Sequence, residues 1–256
     1  MNISTKQQSV KRSWAEKQFR KYRSSVAYIE TIGDDDKIRI GTCFHVGEGI
    51  FVTARHVIEN KLISNIGFDD GMATLQLLER PENWGEKSHG EVSILKGPFF
   101  HENNDIDVAC FKAEPYPRQY IPLGGHLDNW LGQYELVLYS TLLMGYPPIP
   151  FSDRPVLVAS AGEVNALIDK YTGGHPHFIV SSMARGGFSG GPALVAYNEQ
   201  NEETGTAALG LVTESLASDG QAAELGYTAV LTVEPIYRSL EKNGVLPQCQ
   251  HFSISG

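Results

Sequence analysis

The sequence lacks the features that mark a membrane-spanning or secreted chain. None of the apolar runs in its 256 residues approaches the length of a membrane span. Its first residues have no apolar core followed by a small-residue cleavage site. Cysteine is scarce: Cys43, Cys110 and Cys249 cannot all pair within one chain, and the first two lie in apolar strand patterns, where a thiol behaves as a small hydrophobe. We therefore expect a reducing compartment and a cytoplasmic protein.

Positive charge is scarce outside the first 25 residues. The net charge is −9, but residues 1–25 carry seven basic side chains and one acidic one, which leaves the rest with 14 basic and 29 acidic residues. Because an acidic body repels phosphate, no nucleic acid is expected as a partner. Apolar side chains recur at helical spacing between residues 15 and 26, which predicts a short amphipathic helix docked on this body. The alternative is a basic arm that binds a partner or a membrane surface.

Alternation of strands with helices is absent beyond residue 26, where the pattern changes to short apolar strands separated by turns. About six strand candidates precede residue 112 and a second set follows residue 126, a density typical of small closed barrels. A helical pattern returns at Thr232-Val233-Glu234-Pro235, with proline in the first turn, and ends at Asn243-Gly244. The chain is therefore predicted to be all-β, with short helices at its N-terminal and C-terminal ends.

One run of glycines surrounds a serine, in the order Arg185-Gly186-Gly187-Phe188-Ser189-Gly190-Gly191-Pro192. A serine that attacks a carbonyl group needs an exposed hydroxyl on a tight turn and unobstructed N–H groups beside it, and glycines permit both. Such runs are also common turn material. The run by itself therefore leaves a plain hairpin turn as an alternative.

Two further motifs precede that run. The apolar strand Ile50-Phe51-Val52-Thr53 leads through Ala54-Arg55 to His56, and the acidic turn Asn103-Asn104-Asp105-Ile106-Asp107 leads into another apolar strand. His, then Asp, then Ser is one of the chain orders in which a catalytic triad is built. The three motifs together indicate nucleophilic catalysis by a serine.

In this order and context the motifs resemble those of the trypsin-like (chymotrypsin-fold) serine peptidases, over about residues 26 to 240. The resemblance implies two six-stranded antiparallel β-barrels, with His56 and Asp107 in the first and Ser189 in the second. The division of the chain that follows is an N-terminal helical extension (1–25), an N-terminal barrel (26–125), a C-terminal barrel (126–231), and a C-terminal helix with a tail (232–256).

The function implied by the resemblance is that of a serine endopeptidase, which cleaves a protein substrate through an acyl-enzyme. Ser189 is then the nucleophile, His56 the general base, and the amides of Gly187 and Ser189 the oxyanion hole, with no metal or cofactor. The alternative is a protease-fold binding module that has lost turnover. The enzyme is favoured because no triad member or glycine of the motif is missing.

The orienting carboxylate has two candidates, Asp105 and Asp107, which would share one face of a strand. The string Asn-Asn-Asp-Ile favours Asp105, since some secreted relatives carry it at the triad acid. The four mostly apolar residues and the base after Asp107 match the family motif. With Asp105 in that register, Asp107 would place a charge among buried strand residues, which is expensive. We therefore predict Asp107.

Two departures from the secreted and zymogen-type relatives are informative. Phe188 stands where zymogens carry an acid that pairs with a new N-terminal amine, and a phenyl ring cannot accept a hydrogen bond. Val57 stands where secreted relatives usually have a cysteine. The resemblance is therefore closer to intracellular or bacterial non-zymogen members. We expect the oxyanion loop to be held by packing of Phe188, or ordered by a substrate or partner.

The substrate-binding residues are also implied by the resemblance. It puts Met183 and Ala184 at the base of the specificity pocket, Thr213-Glu214-Ser215 along one wall and Gly226 in the other. The first wall would pair with a substrate as an added strand. Since no acid lies at the base, the expected preference is for a small or medium apolar residue at the cleavage position. The partner expected is a protein or peptide substrate, in particular a dedicated partner protein.

Overall fold

The computed structural model describes residues 14–68, 92–125, 136–152, 154–168, 175–182, 186–197, 205–217 and 224–251. At 215–217 and 224–225 it describes the backbone alone. Residues 14–22 form a helix, and Arg23–Ser25 continue it as a 3-10 turn. Trp14 and Tyr22 on this helix are buried, and the Trp14 indole N–H donates a hydrogen bond to Thr206 Oγ1 at 3.1 Å. The helix is therefore docked on the body of the protein.

Six antiparallel strands form the first sheet, in the spatial order β4-β1-β2-β3-β6-β5. The amide of Val92, just before β5, donates to the carbonyl of Ile66 in β4 at 3.1 Å, so the two edges of the sheet curl towards each other. The rings of Phe51 and Phe111 stack inside, with centroids 5.7 Å apart. The strands are β1 (Val26–Ile32), β2 (Ile38–Gly47), β3 (Ile50–Thr53), β4 (Leu62–Gly67), β5 (Ser93–Phe100) and β6 (Ala109–Glu114).

Six further antiparallel strands form a closed barrel, in the order β10-β11-β12-β9-β8-β7. Closure leaves no unpaired strand edge. The buried side chains of this unit are mostly Val, Leu, Ile and Ala. Of these, the β-branched Val and Ile favour the pleated surface of a strand. The strands are β7 (Ser140–Gly145), β8 (Val158–Ile168), β9 (His177–Val180), β10 (Pro192–Tyr197), β11 (Gly205–Ala217) and β12 (Glu224–Thr232).

A C-terminal helix at Glu234–Lys242 follows β12, and its proline lies in the first turn. Its buried face includes Ile236 and Leu240. Ser239 Oγ lies 3.8 Å from the sulfur of Cys110 in β6, so the helix packs back onto the first sheet. A short 3-10 turn, Gln248–Gln250, follows. Within the described ranges, no helix has both the length and the apolar character needed to cross a bilayer.

The predicted all-β fold, with two six-stranded antiparallel units and helices at both ends, is confirmed. One detail differs: the second unit is a closed barrel, whereas the described strands of the first form a half-barrel. The two units meet where β2 contacts the serine motif. Val26 at the start of β1 adds a second link, since its carbonyl accepts a hydrogen bond from the hydroxyl of Tyr146 at 3.1 Å.

Candidate active site

His56 lies on a four-residue helix, Arg55–Ile58, directly after β3. The strand before it is fixed by Thr53, whose hydroxyl donates to the carbonyl oxygen of Thr42 at 2.7 Å. On the other side, Val57 packs against Gly41 so closely that a Cβ at position 41 would overlap a Val57 methyl group. The helix that carries His56 is therefore held by apolar packing of Val57, the residue that replaces the cysteine usual in secreted relatives.

The carboxylate of Asp107 holds His56 at two points. Its Oδ2 lies 2.7 Å from His56 Nδ1, and its Oδ1 accepts a hydrogen bond from the backbone N–H of His56 at 2.9 Å. An ionised carboxylate can only accept, so Nδ1 carries the proton and Nε2 is left as the acceptor. The side chain of His56 is 50% exposed and that of Asp107 is 27% exposed, which keeps the imidazole accessible from solvent.

Asp105, the other candidate acid, is exposed and makes no hydrogen bond to the histidine within the described residues. Its backbone N–H donates to the side-chain carbonyl of Asn103 at 3.0 Å, which closes a local turn before Asp107. The structure therefore places Asp107, rather than Asp105, beside His56.

The serine motif forms a tight turn built on two glycines with positive φ, Gly187 (+97°) and Gly190 (+83°). Residues that carry a side chain rarely adopt a positive φ. A Cβ at Gly190 would overlap the carbonyl oxygen of Thr42 and the hydroxyl of Thr53, so the turn lies against the strand that leads to His56. The turn is closed by a hydrogen bond from the N–H of Gly191 to the carbonyl of Phe188, at 2.8 Å.

Ser189 Oγ donates a hydrogen bond to the carbonyl oxygen of Thr213 at 3.2 Å, and among the described residues it makes none to His56. The amide nitrogens of Gly187 and Ser189, the predicted oxyanion donors, are not used by any hydrogen bond within the same residues. In the described part of the chain, both N–H groups are therefore open to an incoming oxygen. The serine hydroxyl itself is in a resting orientation.

Phe188, in the position before the serine, is 2% exposed. Its ring and backbone lie against Gly145, where a Cβ would come within 3 Å of them. Burial of such a side chain contributes roughly 1.5–3 kcal/mol. Position 188 is thus filled by a buried apolar ring, whereas activation by a new N-terminal amine would need a carboxylate there.

The predicted specificity residues are only partly within the described structure. Met183 and Ala184 lie outside it, and so does the side chain of Ser215. Thr213 is buried with its carbonyl at Ser189, whereas Glu214 is exposed. Gly226 has a positive φ of +77° and open space where a Cβ would lie. The structure thus brings Thr213 to the serine.

In the part of the chain that it describes, no three His, Cys, Asp or Glu side chains cluster as a metal site would require.

Two residues at the site were missed by sequence reasoning. Thr42 Oγ1 donates to the carbonyl of Gly187 at 2.6 Å, and nothing in the local sequence around Thr42 indicates that contact. Arg55 contacts the loop that carries Asp107. The sequence does contain one indication of this role, because Arg55 is a charged residue between a buried strand and a candidate catalytic histidine.

The arrangement of His56, Asp107 and Ser189 agrees with the comparisons of this chain with known proteins. Residues 41–200 match the family model of the trypsin-like peptidase domain. The chain therefore belongs to the trypsin-like peptidase family, and the protein is a serine peptidase. No curated protein sequence is significantly similar to it.

Solved structures of proteases share the fold at low sequence identity. The active form of the Rv3671c protease from M. tuberculosis is 16% identical, with a TM-score of 0.58 over 88% of this chain and 84% of that one. The HtrA-type protease AlgW with a tripeptide is 14% identical, with a TM-score of 0.59 over 90% and 64%. The serine endoprotease from Yersinia pestis is 15% identical, with a TM-score of 0.56 over 89% and 65%.

Proposed function

We propose that the protein is a serine endopeptidase that works through a triad of Ser189, His56 and Asp107. The observation that carries the proposal is the double contact of Asp107 with His56, through the ring nitrogen at 2.7 Å and the backbone N–H at 2.9 Å. This contact selects the tautomer in which Nε2 can accept a proton, and it stabilises the imidazolium once the proton has arrived.

The reaction follows from these groups. Ser189 Oγ attacks the carbonyl carbon of a peptide bond while its proton passes to His56 Nε2. The oxyanion is stabilised by the amides of Gly187 and Ser189, where one such donor is typically worth about 3–4 kcal/mol. Collapse of the intermediate breaks the C–N bond, and the leaving amine takes the proton from His56. Water, deprotonated by the same imidazole, then attacks the acyl carbon. The bond between that carbon and Ser189 Oγ breaks, His56 returns the proton to Ser189 Oγ, and the acid product leaves.

Catalysis requires one rearrangement, because Ser189 Oγ donates to Thr213 in the resting structure. Rotation about the Cα–Cβ bond of the serine moves the hydroxyl between staggered positions. The hydrogen bond given up is worth about 1 kcal/mol net. A substrate that occupies the Thr213 wall and takes over its carbonyl would release the hydroxyl towards His56.

The substrate class we propose is an extended segment of a protein, in particular of a dedicated partner. Such a segment can pair with the backbone beside Thr213 as an added strand. A small or medium apolar residue at the cleavage position remains the expected preference, and the cytoplasm the proposed location. Phe188 supports activity of the uncleaved chain, since its burial holds the oxyanion loop without a charge switch.

The proposal is tested by labelling the full-length chain with a fluorophosphonate and by its cleavage of a peptide library. One adduct is expected by intact mass, and Ser189→Ala should remove both the adduct and the cleavage. Ser64→Ala, at an exposed serine in β4, is the control and should label normally. Cleavage that persists in Ser189→Ala would refute the proposal.

The second candidate function is a binding module without turnover, and the hydrogen bond from Ser189 to Thr213 is what favours it. In that case the hydroxyl stays on Thr213 when a peptide is bound. Saturable peptide binding by the wild-type chain, with no adduct and no cleavage in the presence of that peptide, would establish this function instead.

A further inference from the structure

Arg55 is a buried arginine immediately before His56, with 9% of its surface exposed. Its Nε donates to Glu59 Oε1 at 2.8 Å, directly after the same short helix. Its two terminal nitrogens also reach a different part of the chain: Nη1 donates to the carbonyl of His101 at 3.2 Å, and Nη2, which lies 2.7 Å from Glu59 Oε1, donates to the side-chain oxygen of Asn104 at 3.0 Å. One guanidinium thus joins the histidine helix to the segment before β6.

The segment that Arg55 reaches is the loop that carries Asp107. This loop, residues 101–108, is closed at its ends by a hydrogen bond from the N–H of His101 to the carbonyl of Val108, at 3.3 Å. Inside it, the N–H of Ile106 donates to the carbonyl of Asn103 at 3.1 Å. Arg55 binds the first half of the loop, and Asp107 in the second half binds His56. The helix and the loop are therefore joined at two places.

Burial of an arginine is costly unless its donors are satisfied. Here the charge is balanced by Glu59, and the guanidinium also lies 5.1 Å from the centroid of the Phe100 ring. The rigid fork of a guanidinium can serve several acceptors in fixed directions, which an ammonium cannot do. The contacts therefore restrict where the loop can lie relative to the helix, beyond what a surface ion pair would achieve.

We propose that Arg55 is a positioning residue, which holds the 101–108 loop so that Asp107 meets both the ring and the backbone of His56. This inference rests on the proposed triad. Arg55 acts through Asp107 and does not itself touch the reacting atoms. It therefore supports the turnover step rather than substrate binding.

The kinetic test is Arg55→Ala in two backgrounds. In the wild-type background kcat should fall by about 10²-fold, as expected when a catalytic group is displaced by about 1 Å, while KM changes little. In the Asp107→Asn background the same substitution should change kcat by less than about 3-fold, because the two residues act as a unit. Arg55→Lys should recover only part of the loss. The control Arg20→Ala, at an exposed arginine paired with Glu16, should match the wild type.

A second readout does not depend on turnover. The proton on His56 Nδ1 is held by Asp107, so its NMR signal should be protected from exchange and should disappear in Asp107→Asn. Arg55→Ala should weaken this signal and Arg20→Ala should not. If the chain proves inactive, this measurement still tests the role of Arg55 separately from the proposed function.

If Arg55→Ala does not fold, the exposed Asn104 provides the second variant. Asn104→Ala removes one acceptor and should lower kcat by about 3-fold to 10-fold in the wild-type background only. Equal losses in both backgrounds would show that the role is merely structural. A folded Arg55→Ala, or Asn104→Ala in its place, with wild-type kcat and an unchanged His56 signal would overturn the proposal.

Discussion

The backbone N–H of Thr42 donates a hydrogen bond to the carbonyl oxygen of Ser189 at 3.0 Å, which links the first sheet to the serine of the second barrel. The hydroxyl of Thr42 adds to this link. It donates to the carbonyl of Gly187 at 2.6 Å and accepts from the N–H of Tyr146 at 3.0 Å. One threonine of the first sheet therefore fixes the backbone on both sides of Phe188, beside the proposed oxyanion donors.

Replacement of Thr42 by valine keeps the shape of the side chain and removes the hydroxyl. Because the Gly187 carbonyl and the Tyr146 N–H are then left without that partner in a buried place, we expect the free energy of unfolding to fall by about 1–3 kcal/mol. Labelling of Ser189 by a fluorophosphonate should also slow. Thr42→Ser keeps the hydroxyl and is the control. Equal stability of the two variants in urea titrations would contradict the prediction.

Gly190→Ala should disrupt the serine turn, whereas Gly186→Ala should be tolerated. Gly190 has a φ of +83° and no space for a Cβ beside Thr42 and Thr53, while Gly186 has open space and no positive φ. The backbone strain alone costs about 1–3 kcal/mol, and the overlap adds to it. Thermal unfolding and Ser189 labelling would measure both effects. A Gly190→Ala variant as stable and reactive as Gly186→Ala would contradict the prediction that position 190 requires glycine.

Asp107→Asn should lower kcat by roughly 10⁴-fold while the fold persists, because an amide in place of the carboxylate favours the wrong tautomer of His56. Asp105→Asn is the matched control and should change kcat little, since Asp105 is exposed and lies in a local turn. Steady-state kinetics on a cleaved peptide would compare the two, with circular dichroism to verify folding. The reverse ranking would assign the role to Asp105.

His45 should make the protein less stable in mild acid. Its ring is buried between Phe51 and Tyr116, its Nδ1 lies 2.9 Å from the carbonyl of Gln119, and its Nε2 accepts from the N–H of Gly49 at 3.1 Å. Burial lowers the pKa of His45 from 6.5 to about 4. Between these values the unfolded chain binds a proton that the folded protein does not, so the free energy of unfolding falls as the pH falls.

The expected loss from His45 is about 2 kcal/mol between about pH 7.5 and about pH 5. Burial also lowers the pKa of His101 and His177. The contribution of His45 is therefore obtained as the difference between the wild type and a variant that lacks His45. Urea titrations of the wild type and His45→Gln at both pH values would give it. The variant should have a shallower dependence on pH, and an unchanged slope would exclude this role for His45.

Much of the architecture was predictable from local patterns. Strands such as β3 and β6 are short apolar runs bounded by turn residues. The glycines around Ser189 predict a tight turn whose backbone angles other residues rarely adopt. Each of these signals depends on a few neighbouring residues. The sequence therefore predicted two sets of short strands, and the resemblance to the trypsin-like peptidases implied six in each. Neither predicted that the described strands of the first set form a half-barrel, because closure depends on hydrogen bonds between distant edges.

By itself, the sequence determined the all-β class, the order of the histidine, aspartate and serine motifs, and a serine held among glycines, since all three are written in local residue types and spacing. Only the tertiary structure decided which aspartate contacts His56 and that Thr42 supports Gly187. Thr42 and Gly187 are 145 positions apart, and Arg55 and Asn104 are 49 apart. Contacts of this kind depend on how the two β units pack and where a loop is anchored, and no pattern of neighbouring residues identifies the distant partner.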